Sequence, residues 1–561
     1  MYANGELRTA AGDVEGIGRG RTGVVRIPRQ RDGEPESRKP WWQRHRVPAV
    51  AVAVVVPLYA VWAAVLATGG GDLAAQLAWS GFTARHPDAA YNLSWYGGMH
   101  TANYSVFSSY LMAFCGVRTV SVASGLAGTW LIALLFVRGG VQHARLPAVL
   151  AALALWCNVA SGRTTFALGV AIGLVACLYL HRSVTALVAG ALATMASPVA
   201  GLFLVVAGAA YLLDRQWRKG AVLMVPFFAV VGATAVLFPF QGEQPMHANR
   251  LWMPIVVSAV LAVAAPAGRE WRLLRYGAVV YAVGVLLTFL IASPIGTNVE
   301  RLLGLVAVPV LLAAVLALVR EKAWVRTAMV VVALVLSANW LVDKTADDLR
   351  VSTSVPSWAS HTEGVVGELH RLGAERGRVE VVPARNHREA AVLAPHVNMA
   401  RGWNRQLDVE RGRLFYDGML SPADYRAWLE RWAVGYVVLH HGQPDGPAEA
   451  EAALVRAGQP WLKQVWQDAG WTIYQVRGAT PLVEAPAEVV RGDDAELVVR
   501  MPEAGSVTIR LAHSPWLRVS GVDGATGGCL RQDGEWTRLT VPKGGTYRLD
   551  SAYRVPRGGG C

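Results

Sequence analysis

One stretch concentrates side chains able to do chemistry: GGGDLAAQLAWSGFTARHPDAAYNLSWYGGMHTANYSVFSSYL, which follows the first long apolar run. Asp72 comes directly after Gly69, Gly70 and Gly71, whose missing Cβ atoms free the backbone. An acid at a membrane interface can act as general base toward a bound hydroxyl. The same carboxylate can cap a helix starting at Leu73, and the two roles are compatible. Beyond it lie Tyr91, Asn92, Trp95, Tyr96 and His100. Aromatic faces and amide groups suit sugar rings, which are apolar on one face and hydroxylated at the edge. A plainer reading makes Trp95 and Tyr96 interfacial aromatics and His100 a hydrogen-bonded loop residue. Asp88, after His86 and Pro87, reads as turn chemistry.

A second candidate is SPIGTNVERLLGL, where Asn298, Glu300 and Arg301 precede an apolar run. Arg301 can fork onto two phosphate oxygens. Alternatively, Glu300 and Arg301 anchor the helix at the interface. Arg163 and Arg250 are further candidates for the phosphate role. Signatures of other chemistries (P-loop, GxSxG, HExxH, a CxxC pair) are missing from the sequence. His396 and the pair His440, His441 read as solvated loop histidines. No metal site and no cofactor are predicted, with a divalent metal left open.

The elements that must position these residues are mostly apolar. The chain has 561 residues, 53% hydrophobic and 17% charged, whereas soluble domains are about a quarter charged. The excess runs from Val47 to Val342, and composition turns ordinary after Asp343. With roughly 20 apolar residues needed per crossing, we read spans at Pro48–Thr68, Thr119–Val137, Leu146–Ala160, Thr164–Leu180, Ala221–Phe240, Leu251–Ala265, Tyr276–Ala292, Leu302–Val319 and Ala328–Val342. Val184–Leu213 is interrupted by Ser197 and Pro198 and reads as a hairpin of two short helices. The prediction is a polytopic α-helical bundle of about 11 transmembrane helices.

The net charge of +13 does not form one stripe, so nucleic acid is excluded as a partner. Basic residues cluster in the N-terminal tail and in alternate short loops, as the positive-inside rule expects. That places the chain in the cell membrane as a multi-pass protein, with its N-terminus cytoplasmic and its C-terminal region extracytoplasmic. Arg85, Arg163, Arg250 and Arg301 then stand isolated on the outer side, against the bias, which invites a functional reading. Residues 1–46 carry no apolar signal-peptide core and are predicted as a disordered cytoplasmic tail. Its arginines, in Arg19–Arg31 and Arg38–Arg46, either touch anionic lipid or simply hold the tail inside.

The domains read as 1–46 tail; 47–342 transmembrane domain, with first outer loop 69–118; 343–480 extracytoplasmic α/β domain; and 481–561 extracytoplasmic β-sandwich-like domain. Tyr104–Cys115 is too short to span and reads as an interfacial or re-entrant helix. Strands are predicted at Arg378–Pro383, Val434–His440, Trp471–Val476, Glu496–Met501, Ser506–Leu511 and Trp536–Val541. Ser421–Trp432 reads as a helix with Ser421 at the N-cap. Of five cysteines, Cys115, Cys157 and Cys177 are read as packing residues. Cys529 and Cys561 are predicted to pair outside the membrane.

An acid soon after the first span, an interfacial helix, a bundle of apolar helices and an outer C-terminal region together resemble the GT-C superfamily of membrane glycosyltransferases. Asn398–Leu439 (NMARGWNRQLDVERGRLFYDGMLSPADYRAWLERWAVGYVVL) is similar to a segment of large actinobacterial membrane proteins of GT-C-like type. The resemblance implies a polyprenyl-phosphate-linked sugar as donor and a cell-envelope glycan or glycolipid as acceptor, on the outer face. It implies an inverting transfer with Asp72 as base and Arg301 at the leaving phosphate. Tyr91, Asn92, Trp95, His100 and Asn298 would contact substrate. The family's acid is often paired with a second carboxylate, and Asp72 has no acidic neighbour in the adjacent turn. A transporter and a non-catalytic envelope-assembly protein are the alternatives. Few charges inside the spans and no visible repeat count against the transporter.

Overall fold

The computed structural model describes residues 45–103, 105–554 and 561. The chain separates into Met1–His45 and Arg46–Cys561, and the architecture below is that of the second unit. The predicted tail lies outside the described residues apart from its last two.

Among the described residues, six helices are long and apolar enough to cross a membrane: Arg46–Leu66, Val117–Arg138, Trp217–Leu237, Arg269–Leu290, Gly296–Arg320 and Trp324–Thr353. Five shorter apolar helices, Arg145–Ala160, Thr164–Leu178, Ser183–Ala196, Pro198–Leu213 and Ala248–Ala264, fall on the remaining predicted segments. The polarity of this bundle is that of a membrane protein. Large apolar side chains such as Val184, Val236, Val263, Leu290 and Val325 stand 71–77% exposed, while the interior is filled with alanines such as Ala148, Ala151, Ala193 and Ala314. Small residues let helix backbones approach where lipid offers no hydrophobic drive to associate. Pro198 lacks the N–H that would continue the helix from Ala196, so the predicted hairpin forms on either side of Ser197.

The last long helix departs from the sequence reading. It runs on to Thr353, eleven residues past the predicted end at Val342. Residues 343–353 are polar but include good helix formers, and Asn339 to Asp343 and Arg350 to Asp347 bond along the helix. Loss of apolarity there marks departure from lipid, not the end of the helix.

Beyond it the chain is rich in β-structure. Strands β3 (Arg378–Val381), β4 (Val434–His440), β5 (Leu462–Gln467) and β6 (Trp471–Val476) form one sheet in the order β3-β4-β6-β5, after a short hairpin of β1 (Tyr91–Asn92) and β2 (Met99–His100) in the first outer loop. β3 and β4 are parallel and the other pairs antiparallel. Seven further strands follow: β7 (Glu488–Gly492), β8 (Leu497–Met501), β9 (Gly505–Ala512), β10 (Leu517–Val522), β11 (Cys529–Asp533), β12 (Trp536–Val541) and β13 (Gly545–Ser551). They make two antiparallel sheets, β10-β13-β8-β7 and β11-β12-β9, around a core that includes Leu497, Ile509, Leu539 and Leu549. Buried and partly exposed residues alternate along β9 and β12, the period of two that a pleated strand imposes. Cys529 and Cys561 are disulfide-bonded. Ser421 caps the helix Pro422–Arg431 by accepting from the Asp424 N–H.

The loop 69–118 is built into these lobes. Trp79, Trp95, Tyr96 and Met99 belong to one core with Val379, Val438 and Trp471. Tyr91 and Leu93 belong to the core of the second lobe. The predicted helix Tyr104–Cys115 is Ser108–Cys115 in the structure, with Tyr104 outside the described residues.

Candidate functional site

The ends of the first and last long helices are clamped together, and the clamp sets the position of Asp72. Thr68 donates from Oγ1 to the Ser352 and Thr353 carbonyls at 2.9 and 2.8 Å. Arg388 donates to the Thr68 and Ser352 carbonyls at 2.6 and 2.7 Å. Gly70 is required here: a Cβ would lie 2.7 Å from the Ser352 carbonyl oxygen. The chain then turns through Gly71, at φ 64°, directly into the helix Asp72–Arg85. Asp72 is therefore the first residue of that helix and not a side-chain cap preceding Leu73.

Its carboxylate faces cations. Arg163 donates from Nε to Asp72 Oδ2 at 3.3 Å and from Nη2 to Asp348 Oδ2 at 2.9 Å. Arg301 Nη2 lies 3.9 Å from Asp72 Oδ2, with its guanidinium over the Phe166 ring at 5.4 Å. Lys344 Nζ lies 3.5 Å from Glu300 Oε2. Arg163 reaches this place because Gly162, at φ 78°, packs where a Cβ would meet the Leu73 N at 2.6 Å. Asp348, from the overrunning end of the last long helix, is the second carboxylate that the neighbourhood of Asp72 in sequence lacks.

Asp72, Arg163, Arg301, Glu300 and Lys344 line a cavity of about 630 Å³, within the usual size range of small-molecule sites. Among the described residues its lining includes the cations Arg163, Arg301, Lys344 and Arg405 and the carboxylates Asp72 and Glu300. Val199, Leu202, Phe227, Val230 and Val231 add apolar surface from the membrane helices. Asn298 lines the same space and donates to Gln244 Oε1 at 2.9 Å. Trp403, Asn404, Arg405 and Gln406, from the region beyond the last long helix, also line it. Trp403 donates to the Gly71 carbonyl at 3.1 Å, Gln406 to the Pro294 carbonyl at 3.0 Å, and Arg405 to Asp445 at 2.7 Å. Burial is the largest influence on Arg405 and lowers it, but Asp445, Tyr416 and Asp408 together outweigh it and hold the guanidinium above its usual range.

Of the predicted site residues, Asp72, Asn298 and Arg301 come together at this cavity. Tyr91, Asn92, Trp95 and His100 do not line it. Tyr91 is buried and donates to the Ala512 carbonyl at 2.9 Å. Asn92 accepts from the Ser94 N–H at 2.7 Å. Trp95 packs edge-on against Trp79 at 5.5 Å. His100 Nε2 is 2.8 Å from Ser514 Oγ, and burial lowers its pKa to about 4. Trp95 lies in a core shared with Val379 and Trp471, and Tyr91 in the core of the second lobe. Arg250, the remaining phosphate candidate, lies in a short 3₁₀ turn, Ala248–Arg250, and is not on the lining.

The sequence reading did not single out Lys344, Asp348, Trp403, Arg405 and Gln406. Lys344 and Asp348 are one helical turn apart, a spacing that places both on one face. The other three fall inside the Asn398–Leu439 segment. That segment also holds Arg401, which donates to Glu380 at 2.8 Å and pairs with Glu451 in the outer lobe's interior. Burial raises the carboxyl pKa of both glutamates. Among the described residues His86, Asp493 and Asp494 are a group able to hold a metal ion, but Asp494 already pairs with Arg85 at 2.6 Å and His86 at 2.7 Å.

Residues 484–561 match the model of a domain of unknown function (DUF8823), which covers strands β7 to β13. No curated protein matches the chain. Two solved structures of the arabinofuranosyltransferase AftD from mycobacteria, one of them a mutant, are similar to it at 14% identity and a TM-score of 0.42. Each similarity covers 91% of this chain, which spans 60% of the mutant chain and 57% of the other.

Proposed function

We propose that the chain is a GT-C-type membrane glycosyltransferase. It moves a sugar from a polyprenyl-phosphate donor to a cell-envelope glycan or glycolipid acceptor on the outer face. The observation that carries the reading is the single cavity whose lining combines Asp72, Arg163 and Arg301 with apolar surface from the membrane helices. A lipid-linked sugar phosphate likewise joins an anionic group to an apolar chain. Four lining cations against two carboxylates favour an anionic ligand.

On this reading the acceptor hydroxyl attacks the anomeric carbon as the carbon–oxygen bond to phosphate breaks, inverting the centre. The bonding electrons leave on the polyprenyl phosphate, and Asp72 takes the hydroxyl proton. Arg301 exchanges its contact with Asp72 for the leaving phosphate oxygens, where a planar fork stabilises developing charge. Arg163, fixed by Asp348, holds Asp72 in place. Residues of this chain supply each role, and no cofactor enters the scheme.

The test is sugar transfer from a polyprenyl-phosphate donor in purified membranes. Arg301→Lys keeps the charge but loses the fork, so donor use should weaken while acceptor KM stays constant. Unchanged donor kinetics would remove Arg301 from the phosphate role.

A further inference from the structure

Glycine has the widest backbone freedom of any residue, so Gly71 would by itself be a loose joint directly before Asp72. It is instead held on both sides. Its N–H donates to the Asn386 carbonyl at 2.7 Å. Its carbonyl accepts from Trp403 Nε1 at 3.1 Å and from the Ala74 N–H at 3.1 Å. The two peptide planes flanking Gly71 are thereby fixed, and with them the direction in which the helix Asp72–Arg85 starts.

The residues behind this hold come from the loops of the β3 to β6 sheet. β3 and β4 run parallel, so the loops that follow them leave on the same side. The loop after β3 carries Asn386 and His387, and the loop after β4 carries Asp445. His387 is buried, at 5% exposed. Its ring lies on the Trp403 indole, with centroids 3.4 Å apart and planes 13° from parallel. Its nitrogens approach Glu389 Oε1 at 3.8 Å and Asp445 Oδ2 at 3.9 Å. The backbone at His387 has φ 53°, a left-handed conformation that residues other than glycine seldom adopt and that clusters at functional sites. His387 does not line the cavity of Asp72, so its influence there passes through Trp403, which does.

We infer that His387 is a positioning residue for Asp72. Its stack fixes the plane of the Trp403 indole, the indole N–H holds the Gly71 carbonyl, and the Gly71 peptide sets where the Asp72 carboxylate stands relative to Arg163 and Arg301. The bearing of this hold on catalysis rests on the glycosyltransferase reading; the hold itself does not.

The experiment compares the full-length wild type with His387→Asn, Trp403→Phe and the double variant, each purified in detergent and shown to be folded by a cooperative thermal transition. Asparagine tolerates the left-handed backbone and removes the ring. Phenylalanine keeps an aromatic side chain at position 403 and removes the N–H. Hydrogen-exchange mass spectrometry reads the Gly71 and Ala74 amides. We expect each single variant to exchange there roughly five- to tenfold faster, the scale of one hydrogen bond. The double variant should exchange no faster than Trp403→Phe alone, because both changes act on one contact. Wild-type rates in either folded single variant, or additive effects in the double, overturn the inference. Should His387→Asn not fold, Trp403→Phe alone decides, by the same criterion. Sugar transfer is measured in parallel, and kcat of His387→Asn should fall about 10–10²-fold, the cost of a misplaced reacting group, with donor KM unchanged. Unchanged kcat in a protein whose wild type transfers sugar overturns the positioning role. Faster exchange in the variants of a protein whose wild type transfers none leaves the hold on Asp72 standing and removes the glycosyltransferase reading.

Discussion

Replacing Arg163 by glutamine, alone and together with Asp348→Asn, isolates the contact that ties Asp72 to the last long helix. Arg163 is 16% exposed and sits between Asp72, 32% exposed, and Asp348, 34% exposed. Two unit charges about 4 Å apart at an effective dielectric near 20 attract by about 4 kcal/mol. Partial exposure of all three groups screens this, and desolvation opposes it, leaving about 1–2 kcal/mol of coupling between Arg163 and Asp348. Arg163→Gln should be the costlier single change, because it strands two carboxylates without their cation. Asp348→Asn in the same chain should recover part of that loss. Reversible denaturant unfolding in mixed micelles measures all four corners of the cycle. Strict additivity, within about 0.5 kcal/mol, would show that Arg163 does not couple the two acids.

Reporter fusions placed after residue 353 should read as extracytoplasmic, and fusions within Arg269–Arg275 as cytoplasmic; a cytoplasmic signal from the outer lobes would invert the proposed orientation. His100 links the first outer loop to Ser514, and burial depresses its pKa to about 4, against about 6.5 unfolded. Folding therefore favours the neutral ring, whose contribution is complete above about pH 6.5 and is lost as pH falls toward 4. Thermal unfolding should show a steeper loss over that window for the wild type than for His100→Gln, and equal slopes would contradict the assignment.

The apolar helices were legible because spans of this kind announce themselves by length and composition. So were the strands that alternate cleanly, such as β12, and the capped helix after Ser421. Asp72, Asn298 and Arg301 stood out as polar groups at the edges of apolar runs. Asp348 did not, because the composition shift at Asp343 coincides with the helix leaving the apolar region, and charged residues continue a helix as readily as they end one. The aromatic residues of the first outer loop were ambiguous for a different reason. Tyr91 is buried against partners as distant as Ser551, whose side-chain oxygen accepts from the Tyr91 N–H across 460 positions. A local segment carries no record of such a partner, so a buried interface and an open sugar platform look alike in it.

Transfer by Asp72→Asn bears most directly on the central claim. The Asp72 carboxylate lies 3.3 Å from Arg163 Nε and 3.9 Å from Arg301 Nη2, and Gly71, not Asp72, stands at the N-cap of the helix. Asparagine preserves size and removes the proton acceptor. With a polyprenyl-phosphate sugar donor, purified membranes and a folded, inserted variant, transfer should fall by roughly 10²–10⁴-fold. Transfer at the wild-type rate would contradict the account and send the search for a base to Glu300 or Asp348.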